Sequence, residues 1–292
     1  MLYPLVSVVI PCYNHERFVQ DSIQSVIDQT YENIELIIID DGSQDRSVLK
    51  IKEMVKLCEE RFVRFEFRYR TNIGLSATLN EALEWCEGKY FSPIASDDQM
   101  LNYKTSVQVK YLEKNNNYVA VFGGIQLIDD NNRQLQKSVS KARSYSFEDI
   151  IMHRYNLLAP TQMIRRKAIR EVGGYNTNLF IEDWYMWLKL SQEGHMFSMN
   201  KVFALYRKHD SNSSKNLSKM HSGRFEVLNC FSDSELYVKA VNNVIWINAC
   251  EEIVYTKKNR LKNTFKLVIS NPIKSSKVLI KRISKVFHDR NT

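Results

Sequence analysis

The 292-residue sequence has little of several features that mark common protein classes. It contains only 9 glycines and 5 prolines, which excludes collagen-like repeats and leaves little material for flexible linkers. Its five cysteines are scattered without CxxC spacing, so neither a disulfide framework nor a zinc site is indicated and a reducing cytoplasm is expected. The phosphate-binding patterns GxGxxG and GxxxxGK[ST] are absent, which argues against a dehydrogenase or a P-loop ATPase. No signal-peptide pattern and no run of about 18 apolar residues is present, so no spanning helix is predicted.

Positive charge is concentrated at one end of the chain. The net charge is +8, yet residues 257–292 hold 11 Lys and Arg against the single acid Asp289, while the rest of the chain is nearly neutral. A nucleic-acid-binding protein would need a basic face on the folded body, so nucleic acid is not an expected partner. Apolar residues alternate with the basic ones, which favours an amphipathic element on an anionic membrane surface. A solvated helical face remains the alternative. The predicted location is the cytoplasm, at the inner face of the cytoplasmic membrane.

The first half of the sequence predicts an α/β fold. Continuous β-branched runs over residues 6–10 and 34–39 are typical of strands buried on both faces. Apolar residues at helical spacing lie between them, which gives a β-α-β unit with parallel strands. The alternation continues to residue 94, and a mixed region follows from residue 118. We therefore predict a Rossmann-like, mostly parallel sheet flanked by helices, with a helical C-terminal extension.

Polar clusters follow three of the predicted strands. They are PCYN at residues 11–14, DDGSQD at residues 40–45 and SDD at residues 96–98. Ligands of open α/β sheets bind beyond the carboxyl ends of the strands, and carboxylates with phosphate oxygens suit Mg²⁺ or Mn²⁺. Each cluster taken alone has a structural alternative, since Asp-Gly-Ser is an ordinary turn and Asp97 or Asp98 can cap the following helix.

Taken in order, these motifs resemble a known family. The segments VSVVIPCYNHERFVQDSIQSVIDQTYENIELIIIDDGSQDRS and NIGLSATLNEALEWCEGKYFSPIASDD closely resemble the nucleotide-binding half of family 2 glycosyltransferases, which have the GT-A fold. The resemblance implies a nucleotide-sugar-binding half at residues 1–117, an acceptor-binding half at residues 118–224, and a helical extension with the basic tail at residues 225–292.

The resemblance also implies roles for individual residues. Tyr13 would stack on the nucleobase, and Asp41, with Asp40 beside it, would accept a hydrogen bond from a uracil ring. Arg207 would contact the donor phosphates. The predicted nucleotide-binding residues are Pro11, Tyr13, Asp40, Asp41, Asn72, Gly74, Ser76, Asp97 and Arg207.

The implied metal site departs from the fullest form of the family motif. Asp97 and Asp98 would occupy the DXD-type site, and His209 in YRKHDSNSS would join the metal sphere of a divalent Mn²⁺ or Mg²⁺ ion. Many relatives read Asp-Ser-Asp-Asp where this chain reads Ala-Ser-Asp-Asp, so Ala95 stands in place of the first carboxylate. A lone histidine in a polar loop is often only solvated, which is the alternative for His209.

The acceptor side resembles the family in GGYNTNLFIEDWYMWLKLSQEG. There Asp183 would be the general base, with Glu182 and Trp184 as acceptor contacts. Two acids at a helix start are otherwise explained by the helix dipole.

Together these features predict an inverting, metal-dependent glycosyltransferase. It would transfer a sugar from a nucleotide-sugar donor, a UDP-sugar, to a hydroxyl of a lipid-linked glycan in bacterial O-antigen or capsular polysaccharide synthesis. Two alternatives stay open: transfer to a soluble or protein acceptor, and a non-catalytic nucleotide-sugar-binding module.

Overall fold

The computed structural model describes residues 3–209, 212 and 215–255, and side chains as far as residue 253. The basic tail at residues 257–292, with its predicted amphipathic helices, lies outside the described residues. Contacts divide the chain into two compact units. Of the described residues, the first comprises 3–150, 154–209 and 212, and the second comprises 151–153 and 215–255. The domain boundaries at 117/118 and 224/225 stay a prediction.

The first unit begins with the predicted alternation of strands and helices. Every residue of the second strand is buried and only one of the first is partly exposed, because these apolar runs pack against neighbours on both faces of the sheet. The core combines them with apolar residues of the first helix, such as Ile23 and Val26. The elements of this half are β1 (Val6–Cys12), α1 (Val19–Ile27), β2 (Ile34–Asp40), α2 (Ser47–Lys52), α3 (Val55–Arg61), β3 (Arg64–Tyr69), α4 (Leu75–Trp85) and β4 (Tyr90–Pro93).

The remainder of the first unit is mixed, as the loss of regular alternation predicts. A 3₁₀ turn at Ala159–Thr161 precedes β9. The elements are β5 (Gln99–Met100), α5 (Lys104–Lys114), β6 (Tyr118–Ile128), β7 (Gln134–Ser138), β8 (Arg143–Tyr145), α6 (Phe147–Ile151), β9 (Met163–Arg165), α7 (Arg166–Glu171), α8 (Glu182–Glu193) and β10 (His195–Arg207).

The strands form one sheet in the order β3-β2-β1-β4-β9-β6-β10-β5, with β7 beside β6 and β8 beside β10. Strands β1 to β4 are mutually parallel neighbours, and β6 is parallel to β10. Strand β9 is antiparallel to both of its neighbours, β4 and β6, so β4 and β6 run in the same direction. The predicted α/β sheet flanked by helices is therefore confirmed. Because they run in the same direction, β1, β2, β4, β6 and β10 have their carboxyl ends along one edge of the sheet.

The second unit is helical where it is described. Its helices are α9 (Leu217–Asn229) and α10 (Tyr237–Tyr255). A buried Arg224 donates two hydrogen bonds to Glu251, both at 2.8 Å, and one to Asn248, which joins the two helices. No helix within the described residues is long and apolar enough to cross a membrane.

Candidate active site

The loops that follow β1 and β2 are joined by side-chain hydrogen bonds. The backbone N–H of Asn14 donates to Ser43 Oγ at 2.8 Å, and its side-chain oxygen accepts from the backbone N–H of Gln44 at 2.7 Å. Asn14 has a φ of 56°, a left-handed conformation that asparagine tolerates better than most residues. These bonds fix the loop that carries Tyr13, whose side chain is 47% exposed, while Pro11 before it is half-buried.

Asp40 and Asp41 have different surroundings. Asp40 is fully buried and accepts hydrogen bonds from the N–H and the hydroxyl of Ser43, at 2.8 and 2.6 Å, so it stabilises its own turn. Asp41 accepts from Arg70 and from the backbone N–H groups of Ile73 and Gly74, at 2.8 and 2.9 Å. Asp41 therefore anchors the loop that leads into α4. Each carboxylate oxygen can accept two hydrogen bonds, so these three bonds do not use the full capacity of Asp41. The nucleobase contact predicted for Asp41 is therefore possible in this conformation and stays a prediction.

Three more of the predicted nucleotide-binding residues lie on that loop or in the first turn of α4. Asn72 is exposed, Gly74 precedes α4 with a φ of +92°, and Ser76 is buried in the first turn of the helix. Gly42 faces the same loop, and a Cβ there would lie 2.6 Å from the backbone nitrogen of Asn72. The close approach of the two loops thus depends on a glycine at position 42.

The turn after β4 orients its two aspartates differently. Asp98 is buried, and its Oδ1 accepts the backbone N–H of Arg207 at 2.9 Å, which joins the end of β4 to the end of β10. Burial, and next the charge of Asp97, raise the pKa of Asp98 well above its usual value. Asp97 instead directs its carboxylate toward two histidines. The structure therefore places Asp97, rather than Asp98, in the candidate metal cluster.

Arg207 does not fit the phosphate contact predicted for it. The side chain is fully buried, and its guanidinium donates to the backbone oxygens of Asp97 and Asp129 at 2.9 Å each. It also donates to Asp21 Oδ2 at 3.2 Å and Asn132 Oδ1 at 2.7 Å. Because these bonds occupy four of its five N–H groups inside the protein, Arg207 supports the turn of Asp97 and does not face a ligand.

Three side chains from three loops form a candidate metal centre. His209 Nε2 lies 2.7 Å from Asp97 Oδ2, and His15 Nε2 lies 3.9 Å from the same oxygen. One ligand atom from each of the three residues lies within 4.8 Å of the other two. A divalent cation bound here would be held by one carboxylate and two imidazoles. The cofactor prediction fits these donors, although Asp98 is outside the group.

His15 is a functional candidate that sequence reasoning missed. It lies one residue beyond the PCYN motif, and burial lowers its pKa, which favours the neutral imidazole that metals bind. The sequence did contain a signal for it, because a histidine in the loop after a parallel strand is expected at the same sheet edge as Asp97. Without the fold, however, nothing related residue 15 to residue 209.

The predicted base lies at the start of α8. Glu182 and Asp183 are half-buried, and Asp183 Oδ1 accepts the backbone N–H of Trp184 at 2.6 Å. Burial, with the charge of Asp183 adding to it, raises the pKa of Glu182 to about 8, and burial also raises the pKa of Asp183. Both shifts favour the protonated acids, and because the two carboxyl groups interact, they titrate as a pair.

Trp184 is placed differently from its predicted role as an acceptor contact. Its side chain is 2% exposed, and its indole N–H donates to the backbone oxygen of Ile150 at 3.1 Å. Because this face of α8 points toward the core, the Trp184 side chain packs inside the protein and offers no exposed surface to a sugar.

Asn80 connects α4 to the loop before α8. Its amide donates to the backbone oxygen of Tyr175 and accepts from the backbone N–H of the same residue, both at 2.8 Å. Gly174 has a φ of +75°, and a Cβ there would lie 2.7 Å from Asn80 Oδ1, so this contact requires glycine. Tyr175 is buried; burial, then the charges of Glu182 and Asp183, raise its pKa. Asn80 thus ties the donor-side helix to the base region.

We expect Asn80→Ala to lower the free energy of unfolding by about 2 kcal/mol, because two hydrogen bonds to a buried residue are lost. Chemical denaturation followed by circular dichroism measures the change. Thr177→Ala, an exposed position in the loop that contains Tyr175, is the matched control, and its stability should stay near that of wild type. An Asn80→Ala midpoint equal to that of Thr177→Ala would contradict this assignment.

Comparison with known proteins identifies the family. The profile described as Glycosyl transferase family 2 matches residues 7–173, more than half of the chain. An uncharacterized glycosyltransferase of Rickettsia typhi is 29% identical over 216 residues, which cover 71% of this chain and 65% of that protein. The putative teichuronic acid biosynthesis glycosyltransferase TuaG of Bacillus subtilis is 28% identical over 214 residues, covering 73% of this chain and 82% of TuaG. Coverage of the Rickettsia relatives' own length falls to 31% in Rickettsia bellii, so the chain spans less than two thirds of these proteins.

Solved structures share the fold. S. aureus TarS 1–349 in complex with UDP-GlcNAc has a TM-score of 0.65 at 15% identity, covering 94% of this chain and 79% of that one. The mannosyltransferase PcManGT of Pyrobaculum calidifontis, in complex with GDP-Man and Mn²⁺, has a TM-score of 0.61 at 13% identity, covering 99% and 88%. These likenesses confirm the GT-A fold. The profile match, the ordered strand-end motifs and this fold together establish that the chain belongs to glycosyl transferase family 2.

Proposed function

We propose that the chain is an inverting, metal-dependent glycosyltransferase that uses a UDP-sugar. The observation that carries the proposal is the convergence of Asp97, His15 and His209 at the same sheet edge as the nucleotide-side loops. An anionic diphosphate needs positive charge at this edge, and Arg207, the buried cation there, is engaged by the protein itself. A cation held by Asp97 and His209 would supply that charge and stabilise the departing diphosphate.

Asp183 has the role of general base in this proposal. It would accept the proton of an acceptor hydroxyl while that oxygen bonds to the anomeric carbon and the bond from this carbon to the diphosphate oxygen breaks. Attack from the face opposite the leaving group inverts the anomeric configuration. Glu182 beside it would contact the acceptor, and its raised pKa favours the acid form, which can donate a hydrogen bond as a carboxylate cannot.

The nucleotide is proposed to lie between Tyr13 and the loop anchored by Asp41. The exposed ring of Tyr13 is available for stacking, and the hydrogen bonds of Asn14 tie the loop that carries it to the loop after β2. TarS is described in complex with UDP-GlcNAc and PcManGT with GDP-Man and Mn²⁺, which supports a nucleotide-sugar donor and a metal.

Calorimetric titration with UDP and GDP, with Mn²⁺ or with EDTA, tests the donor site. We expect UDP to bind more tightly than GDP, and its affinity to fall when EDTA replaces Mn²⁺. Equal or absent binding of both nucleotides under both conditions would contradict the donor proposal.

The proposed acceptor is a lipid-linked glycan in bacterial surface polysaccharide synthesis, of the O-antigen or capsule type. The relation to TuaG, named for teichuronic acid biosynthesis, supports this class. The basic residues at 257–292 support a location at an anionic inner membrane surface, since each adds about 1 kcal/mol of attraction.

Flotation with vesicles of phosphatidylglycerol and phosphatidylcholine tests the membrane proposal. We expect the full chain to float and a chain lacking residues 257–292 to remain with the soluble fraction. Phosphatidylcholine vesicles are the control, because they lack the negative charge. Equal recovery of both chains would favour a soluble or protein acceptor instead.

A further inference from the structure

The candidate metal centre contains a side chain beyond the aspartate and the loop histidine that the sequence motifs suggest. We propose that His15 is a third protein ligand of the cation and that, through it, the site selects Mn²⁺ and related transition metals over Mg²⁺. The proposal rests on the metal-dependent function proposed above and adds both a ligand and a metal class to it.

The geometry suits direct coordination. Metal to nitrogen and metal to oxygen distances of about 2.0–2.2 Å place neighbouring ligand atoms roughly 3 Å apart and opposite ones roughly 4 Å apart. The three ligand atoms lie within 4.8 Å of one another, and His15 Nε2 is 3.9 Å from Asp97 Oδ2. These separations are close to those of atoms that share one metal ion, so a cation would fit between them after small side-chain movements.

The orientation of His15 is fixed from outside the cluster. Its Nδ1 lies 2.7 Å from Ser96 Oγ, which directs Nε2 toward Asp97, and its backbone N–H donates to Ser47 Oγ at 2.9 Å. Ser96 is buried and His15 is half-buried, so this hydrogen bond is partly shielded from water. Outer partners of this kind set the tautomer and direction of metal-binding histidines.

The ring of Phe18 packs against both histidines of the cluster, at 6.2 Å from the ring of His15. The rings of His15 and His209 are 5.7 Å apart and nearly perpendicular, and Phe18 lies 5.3 Å from the His209 ring. The apolar wall holds both imidazoles in place before a cation arrives. The site is thus preorganised by groups from the loop after β1, the turn after β4 and the segment after β10.

The donor set determines which cations are preferred. Mg²⁺ requires oxygen ligands in near-ideal octahedral geometry, whereas imidazole nitrogens suit the first-row transition metals. Ala95 provides no carboxylate before Ser96, so the cluster offers one carboxylate and two imidazoles within the described residues. Replacing one imidazole by a side chain that binds no metal should therefore weaken Mn²⁺ binding strongly and Mg²⁺ binding only slightly.

Electron paramagnetic resonance of Mn²⁺ tests the proposal without measuring turnover. The full chain is titrated with Mn²⁺ in the presence of UDP, and bound Mn²⁺ is then displaced with Mg²⁺. We expect His15→Ala to weaken Mn²⁺ binding by at least about tenfold and to lower the ratio of Mn²⁺ to Mg²⁺ affinity. His195→Ala, an exposed histidine at the start of β10, is the matched control and should match wild type.

Two further variants make the result decisive. His15→Gln keeps a polar group near Ser96 but is a poor metal ligand, so it should repeat the loss even if His15→Ala fails to fold. Ser96→Ala leaves all three ligands and should weaken Mn²⁺ binding through the orientation of His15 alone. Thermal melting in EDTA, where the cation makes no contribution, establishes that each variant is folded.

The outcomes separate this proposal from the one on which it rests. If Asp97→Ala abolishes Mn²⁺ binding while His15→Ala and His15→Gln retain wild-type affinity and selectivity, His15 is not a ligand and this inference is overturned. If wild type itself does not bind Mn²⁺, or Asp97→Ala binds it normally, the proposed metal centre fails and this inference fails with it.

Discussion

Replacing Asp183 with Asn is expected to lower the turnover number by about 10²–10⁴-fold, because a general base contributes an acceleration of this size. Asn has nearly the same shape but cannot accept the proton of the acceptor hydroxyl. Binding of UDP in the presence of Mn²⁺ should stay close to wild type. Steady-state release of UDP and calorimetry on the same preparation measure the two quantities.

The control for Asp183 is Glu193→Gln, which removes an exposed acid from the other end of α8 and should leave the rate unchanged. The pH profile provides a second check. Because burial raises the pKa of Asp183, the ionised base is lost at a higher pH than for an ordinary aspartate. The wild-type rate should therefore rise with pH on its acid side. An active Asp183→Asn enzyme would remove Asp183 from the base role.

Replacing Asp97 with Ala is expected to reduce turnover by about 10²-fold or more, since Lewis-acid stabilisation of a leaving diphosphate is worth several kcal/mol. Asp97 is the one carboxylate that contacts His209 and approaches His15 in the described cluster. The loss should appear in Mn²⁺ binding as well as in rate. UDP affinity in the variant should no longer respond to the change from EDTA to Mn²⁺.

Asp28→Asn, at the exposed end of α1, is the control for a lost negative charge. EDTA treatment of the wild-type protein should reproduce the effect of Asp97→Ala, and added Mn²⁺ should reverse it. A chelated enzyme that keeps its full rate would contradict a metal role for Asp97.

The elements of the sheet were predictable from local pattern. The apolar runs at residues 6–10 and 34–39 correspond to β1 and β2, and the helical spacing between them correctly indicated α1. Such patterns depend on neighbours in the chain, which the sequence displays directly. The parallel pairing of β1 with β2 followed from the helix between them.

The site was less predictable, because its contacts join distant residues. Arg207 pairs with the backbone of Asp97 and with Asp21, far away in the chain, so its burial could not be inferred from the loop in which it lies. For the same reason, the different roles of Asp97 and Asp98 could not be predicted. Only the position of β10 decides that Asp98 accepts the backbone N–H of Arg207. His15 was missed for the complementary reason: its partners Ser96 and His209 come from other strand ends.

The most direct test of glycosyl transfer is the release of nucleoside diphosphate by the full chain. UDP-sugars are incubated with the protein, Mn²⁺ and synthetic lipid-pyrophosphate acceptors, and free UDP is measured against the Asp183→Asn variant as background. We predict release that requires both Mn²⁺ and Asp183 and increases when acceptor is added. Tight binding of UDP-sugars with no release above that background, for any donor and acceptor pair, would contradict catalysis and favour a nucleotide-sugar-binding module.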